Sequence, residues 1–209
     1  LILRAKLGGE KMFRKNLVTS AVIGAMTILS SGVAMAAGHA AWTSIGDQSS
    51  IAFGSIKKNV AGEVHHFENI VATVSEDGKV EIKIDLTSLE TNIDIRNERM
   101  AEHVFKNGAE ATLIGKIDMD EVKEIAPGDT GLVDIEATLS LAGIDFDVEA
   151  EMLIAPLSPT RVLVTTSDFI FVSTADLGIE DGIDMLMKLA DLSGITRTVP
   201  VSVRMVFEK

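Results

Sequence analysis

Lys79 to Leu86, KVEIKIDL, alternates apolar and charged residues without a break. Val80, Ile82, Ile84 and Leu86 fall on one side, with Lys79, Glu81, Lys83 and Asp85 on the other. In an extended chain successive side chains point to opposite faces, so this period of two predicts a strand with one dry and one wet face. Outward from it the same rhythm recurs. Val133, Ile135, Ala137, Leu139 and Leu141 repeat it, and so do Ile144, Phe146, Val148, Ala150 and Met152. Ala142-Gly143 separates the last two runs, and a two-residue link containing Gly predicts a hairpin. Val199, Val201, Val203, Met205 and Phe207 make a closing strand. Further strands are expected over 50–56, 64–74, 111–119 and 161–166. Turns are expected at Glu76-Asp77-Gly78 and Ala126-Pro127-Gly128-Asp129.

Two stretches depart from the alternation. Residues 96–105 place Met100 and Val104 four apart, which suits a short helix. Residues 183–192 set Met185, Leu186, Leu189 and Leu192 on one helical stripe, with Gly194 as a stop. Many antiparallel strands, each dry on one side, stack as two sheets or close on themselves, and closure removes exposed edges. The expected fold is all-β: a lipocalin-like antiparallel barrel of about eight strands with one or two short helices. Aromatic residues make up 4% of the chain and Tyr is absent, so slender side chains fill the interior and leave room for a lumen.

The N-terminal region reads as an address. Arg14 and Lys15 precede an apolar stretch from Leu17 to Leu29, and Ala34-Met35-Ala36 offers the small residues of a cleavage site. The apolar run is shorter than the roughly 20 residues of a spanning helix. The expected organisation is a signal peptide over 12–36 and one domain over 37–209. Residues 1–11, ahead of a better start at Met12, read as a misassigned upstream start. Export to the periplasm follows, with no stable membrane anchor after cleavage.

Composition narrows the function. The chain holds no Cys, which excludes disulfides, thiolate metal sites and a cysteine nucleophile. Its formal charge is −12, from 19 basic and 31 acidic residues. Residues 1–37 hold five of the basic residues and one acidic one, leaving the remainder 14 against 30, a net of −16. Such a surface repels phosphate backbones, so nucleic acid is not an expected partner. No Gly-x-Ser-x-Gly elbow is present. The Asp145/Asp147 and Glu149/Glu151 pairs lie on the wet side of their strand, as a solvated face. His65 and His66 are neighbours on a strand and point to opposite faces, a poor arrangement for one metal. No catalytic residue, metal or cofactor is expected, and the chain is not expected to be an enzyme.

Several segments resemble the YceI-like family of lipid- and polyisoprenoid-binding periplasmic proteins. WTSIGDQSSIAF (42–53) is similar to its opening strands, and VAGEVHHFENI (60–70) to its Gly-x-apolar-x-x-Phe segment. LTSLETNIDIRNERMAEHVF (86–105) matches a strand, Thr91 and then an Arg-x-x-Arg-Met helix at Arg96, Arg99 and Met100. LSLAGIDFDV (139–148) resembles its Gly-turn hairpin, and ITRTVPVSVRMVFE (195–208) its last strand. Two positions depart from the pattern: Val64 stands where Phe is common, and His103-Val104-Phe105 replaces an acidic-aromatic-aromatic step. The resemblance implies a barrel holding a long apolar ligand of isoprenoid or fatty-acyl type. The candidate apolar lining is Phe53, Val64, Ile82, Ile84, Leu139, Phe146, Val148 and Met205, with Phe67 and Phe105 nearer the rim. Arg96, Arg99 and His103 are the candidate polar residues of the mouth. Guanidinium forks match phosphate and carboxylate geometry, although in so acidic a chain the same arginines also find internal carboxylates. The alternative is a structural or stress-related partner protein whose barrel is packed solid. A homodimer stays open.

Overall fold

Alternating segments become strands because their apolar faces find each other. In the computed structural model, which describes residues 40–209, twelve strands form. The expected leader at 12–36 and residues 1–11 lie outside the described residues. The strands are β1 (Ala40–Ser44), β2 (Ser50–Lys57), β3 (Ala61–Phe67), β4 (Ile70–Ser75), β5 (Lys79–Asp85) and β6 (Leu89–Glu90). They continue as β7 (Glu110–Lys116), β8 (Gly131–Leu141), β9 (Ile144–Ser158), β10 (Arg161–Thr166), β11 (Ile170–Ser173) and β12 (Thr198–Glu208). The helices are α1 (Asp94–Arg99), prolonged by a π-type turn over Met100–Val104, then α2 (Met119–Glu124) and α3 (Glu180–Leu189).

Eight strands close a ring in the order β1-β4-β5-β7-β8-β9-β10-β12, and β12 returns to β1. Every pairing is antiparallel. The N-terminal half of β12 carries the wall further, between β11 on one side and β2 on the other, and β3 and β6 follow β2. The chain is thus a closed eight-strand barrel with a four-strand extension at one end. The β8–β9 hairpin turns at Ala142 (φ 50°) and Gly143 (φ 83°). Two successive residues in the left-handed region match the right-handed twist of the strands they join.

Three expectations about elements need correction. The single strand over 64–74 is two, broken at Glu68-Asn69, where the hydroxyl and carbonyl of Ser88 accept the Asn69 and Glu68 amides. The strand over 111–119 ends at Lys116, because the Asp118 carboxylate accepts the Asp120 amide and starts α2. In α3 the buried stripe is rotated from the expected one. Gly182, Ile183 and Leu186 face in, while Met185 and Leu189 are exposed. Gly182 sets this rotation. A Cβ there would lie 2.4 Å from the His103 carbonyl oxygen, so only Gly lets α3 rest on the backbone of the π-type turn.

Candidate functional site

Inward-facing residues do two different things along the barrel. At the end where β1, β4, β10 and the last residues of β12 meet, they interlock. Met205 is 1% exposed and Ala72 fully buried, and with Val80, Ile82 and Phe207 they form a packed floor. Towards the other end the side chains stop meeting, and a cavity of about 510 Å³ opens. The depth can be read along each strand. On β12, Val199, Val201 and Val203 line the cavity and Met205 does not; on β5, Ile84 does and Ile82 does not. The barrel is therefore not packed solid. Its volume falls within the roughly 300–1,000 Å³ of small-molecule sites.

Helices close part of the hollow end. Met100, Val104 and Phe105 come from α1 and its prolongation, and Ile183, Leu186 and Ala190 from α3 and its last turn. Phe53, Phe67 and Phe105 stand in a row in the wall, with ring centres 5.6 and 5.9 Å apart.

One side of the hollow is polar. Three successive inward positions on β2 are Phe53, Ser55 and Lys57, and the register sets His65 opposite Phe53 and Glu63 opposite Ser55. Lys57 Nζ donates to Glu63 Oε1 at 2.7 Å. Arg96 Nη1 donates to Glu63 Oε2 at 2.5 Å, and Arg96 Nη2 to the Thr91 carbonyl at 2.6 Å. Thr91 is itself 1% exposed, and its hydroxyl donates to Asn97 Oδ1, which fixes the entry to α1. Arg99 makes one long bond, Nη1 to the Leu189 carbonyl at 3.4 Å. Burial pushes the Glu63 carboxyl upward, but the hydrogen bond from Lys57 and the charge of Arg96 outweigh it and hold Glu63 below the usual carboxylate range. Burial, reinforced by the Arg96 charge, pulls His65 down to about 4, so its imidazole is neutral at neutral pH. His65 is 3% exposed, its Nε2 lies 3.1 Å from Ser55 Oγ, and its Nδ1 has no partner among the described residues.

Of the residues expected in the lining, Phe53, Phe67, Ile84, Phe105, Leu139 and Val148 stand on the cavity wall, as do Arg96 and Arg99. Phe67 and Phe105 are deeply buried rather than placed at a rim. Ile82 and Met205 face inward but belong to the floor, because alternation tells which way a residue points and not how deep it sits. Phe146, half-buried opposite Leu139, stands off the cavity. Val64 is a correction. It is 65% exposed on the outer face, opposite Gly54. Val64 and Phe67 are three apart, so one regular strand cannot turn both inward, and Phe67 wins. His103 is the second correction. It is not at the mouth; its backbone supports Gly182, and its Nε2 lies 3.8 Å from Glu102.

Sequence reading missed Ser55, Lys57 and Glu63 as wall residues. The signal was available: stepping by two from Phe53 reaches Ser55 and Lys57, and stepping back by two from Phe67 reaches His65 and Glu63. Outside the barrel, an open dent of about 670 Å³ is lined by Glu121, Glu124, Asp129, Asp134 and Glu151 beside Leu132 and lies apart from the lumen. Among the described residues no group of three or more His, Cys, Asp or Glu is placed to hold a metal ion, and no helix is long and apolar enough to cross a membrane.

A closed antiparallel barrel with a hollow, largely apolar end defines a lipocalin-like architecture. Within it, residues 42–207 match the YceI-like domain model, and the chain belongs to that family. It is similar to a polyisoprenoid binding domain from Saccharophagus degradans, at 33% identity and a TM-score of 0.78, covering 81% of this chain and 98% of that one. The fold is shared with Burkholderia cenocepacia BcnA, at 15% identity, TM-score 0.61, and 78% and 98% coverage. It is shared also with a Campylobacter jejuni YceI protein, at 12% identity, TM-score 0.52, and 69% and 84% coverage. No curated protein sequence matches the chain.

Proposed function

We propose that this protein is a periplasmic, non-catalytic carrier that holds one long-chain apolar molecule, of isoprenoid or fatty-acyl type, with its tail in the lumen. The observation that carries this reading is the 510 Å³ hollow walled by Phe, Leu, Ile and Val. Burial of apolar area is the driving force. Each methylene contributes about 0.8 kcal/mol, so a tail of roughly ten carbons gains about 8 kcal/mol before the loss of free motion is subtracted. The Saccharophagus domain, described as polyisoprenoid binding, supports the isoprenoid class, and the leader-like residues 12–36 support export. No atom of the wall needs to react for this task.

The test is extraction and native mass spectrometry of protein purified from its own host's envelope, beside a Leu139→Trp variant that fills the hollow. A bound lipid in the natural protein and none in the variant is the expected result. An empty natural protein that also takes up no added isoprenoid or fatty acid refutes the carrier reading.

A further inference from the structure

The chain carries a net charge of −12, yet its lumen is the reverse. Among the described residues, the charged side chains on the cavity wall are Lys57, Arg96, Arg99 and Glu63, three cations to one anion. Both oxygens of Glu63 are already engaged, one by Lys57 and the other by Arg96. Donors remain. Among the described residues, the Lys57 ammonium has further N–H bonds to give, Arg99 holds only the long bond to Leu189, and Arg96 Nε is buried with no acceptor. Beside them the buried His65 Nδ1 has no partner among the described residues either. Cationic donors with hydrogen bonds still to give, on the wall of an otherwise apolar cavity, point to an acceptor that arrives from outside.

The register places these groups together. Glu63 and Ser55 are opposite each other on β3 and β2, Lys57 is the next inward residue after Ser55, and His65 the next after Glu63. Arg96 reaches this row from α1 through Glu63, and Arg99 follows one turn later on the same helix. They form a collar on one side of a bore that is otherwise apolar. A hydrocarbon alone would cover the collar, exclude water and leave its donors unpaired. A neutral hydroxyl offers one oxygen to at least three donors and leaves the excess positive charge unbalanced. A carboxylate or phosphate offers two or three oxygens and supplies the missing charge.

We propose that this collar seats the anionic head, a carboxylate or phosphate monoester, of an amphiphile whose tail occupies the lumen; the proposal rests on the carrier reading above. The head lies against Arg99 and Lys57, and leaves Glu63 in place as the internal counter-ion that keeps Lys57 and Arg96 from repelling each other.

The experiment uses the purified protein stripped of bound lipid and two probes with one tail, geranylgeranyl phosphate and geranylgeraniol. The phosphate is expected to bind at least about tenfold more tightly at low salt, the scale of one added charge-assisted hydrogen bond, with the advantage shrinking as salt rises. Arg99→Gln is expected to bring the ratio between the probes close to one, and Arg99→Lys to keep most of it. Arg99 suits this purpose because its one bond to the fold is long, and a thermal melt checks that the variant stays folded. Equal binding of the two probes, or a ratio unmoved by Arg99→Gln, overturns the head assignment and leaves the carrier reading standing. Binding of neither probe overturns both. Inorganic phosphate that displaces geranylgeranyl phosphate at millimolar concentration overturns the lipid-head assignment in favour of a free-anion site.

Discussion

The floor and the hollow end of this barrel are built from the same kinds of residue on the same strands, yet one is packed and the other encloses a cavity. On β12, Val203 faces space and Met205, two residues on, is 1% exposed. At the floor, strands close the ring directly through β1, β4 and β12, and their side chains meet across it. At the hollow end the wall is widened by β2, β3 and β11 and covered by α1 and α3, and its Val and Leu side chains border a cavity instead of one another. Apolar lining by itself therefore does not make a ligand site; the spacing of the walls does.

Stability measurements can break this comparison. Met205→Ala is expected to cost about 2–5 kcal/mol, because it opens a cavity in a packed region. Val203→Ala is expected to cost less than about 1.5 kcal/mol, because the space it vacates joins an existing void. Urea denaturation of the ligand-free variants gives both values, and equal costs would mean that the hollow is not there in solution.

The polar collar sharpens the contrast. Glu63→Gln leaves Lys57 and Arg96 facing each other without their shared carboxylate, and an expected loss of about 1–3 kcal/mol lies between the values for exposed and buried pairs. Denaturation at low and high salt checks it, since salt screens the residual repulsion and should recover part of the loss.

His65 adds a pH dependence. Its folded value of about 4 lies below the ordinary 6.5, so between these limits the unfolded chain binds more protons than the folded one. Stability from this group is full above pH 6.5, falls as the pH drops towards 4, and falls no further below that, for a total on the order of 1–3 kcal/mol. Glu63, held below its usual range, adds a loss that begins in more acidic solution. Comparing pH-dependent melts of the natural protein and His65→Asn isolates the imidazole, and identical slopes above pH 4.5 would refute its burial in the neutral form.

The smallest expected effect is on the outside. Val64→Thr should change stability by no more than about 0.5 kcal/mol and leave lipid content untouched, because Val64 faces solvent. Val148→Thr, which puts a hydroxyl against the lumen wall, should cost about 1–3 kcal/mol. A large effect at Val64 would show that this outer face is covered in the working protein.

Period-two alternation by itself determined that the chain is a set of half-dry strands, where the β8–β9 hairpin turns and which way Phe53, Ile84, Leu139 and Val148 point. It determined this because side-chain direction in an extended chain is a local property, fixed by the backbone of each residue. It also held the clue to Lys57, Glu63 and His65, which parity places inside although their polarity argues for outside. Only the tertiary structure decided depth. Whether Ile82 touches a ligand or Ala72, whether Met205 lines a void or fills it, and whether Arg96 stands free or is bound to Glu63 depend on which strands lie opposite and how far away. Those distances are set by pairings between residues far apart in the chain, and no short stretch of sequence contains them.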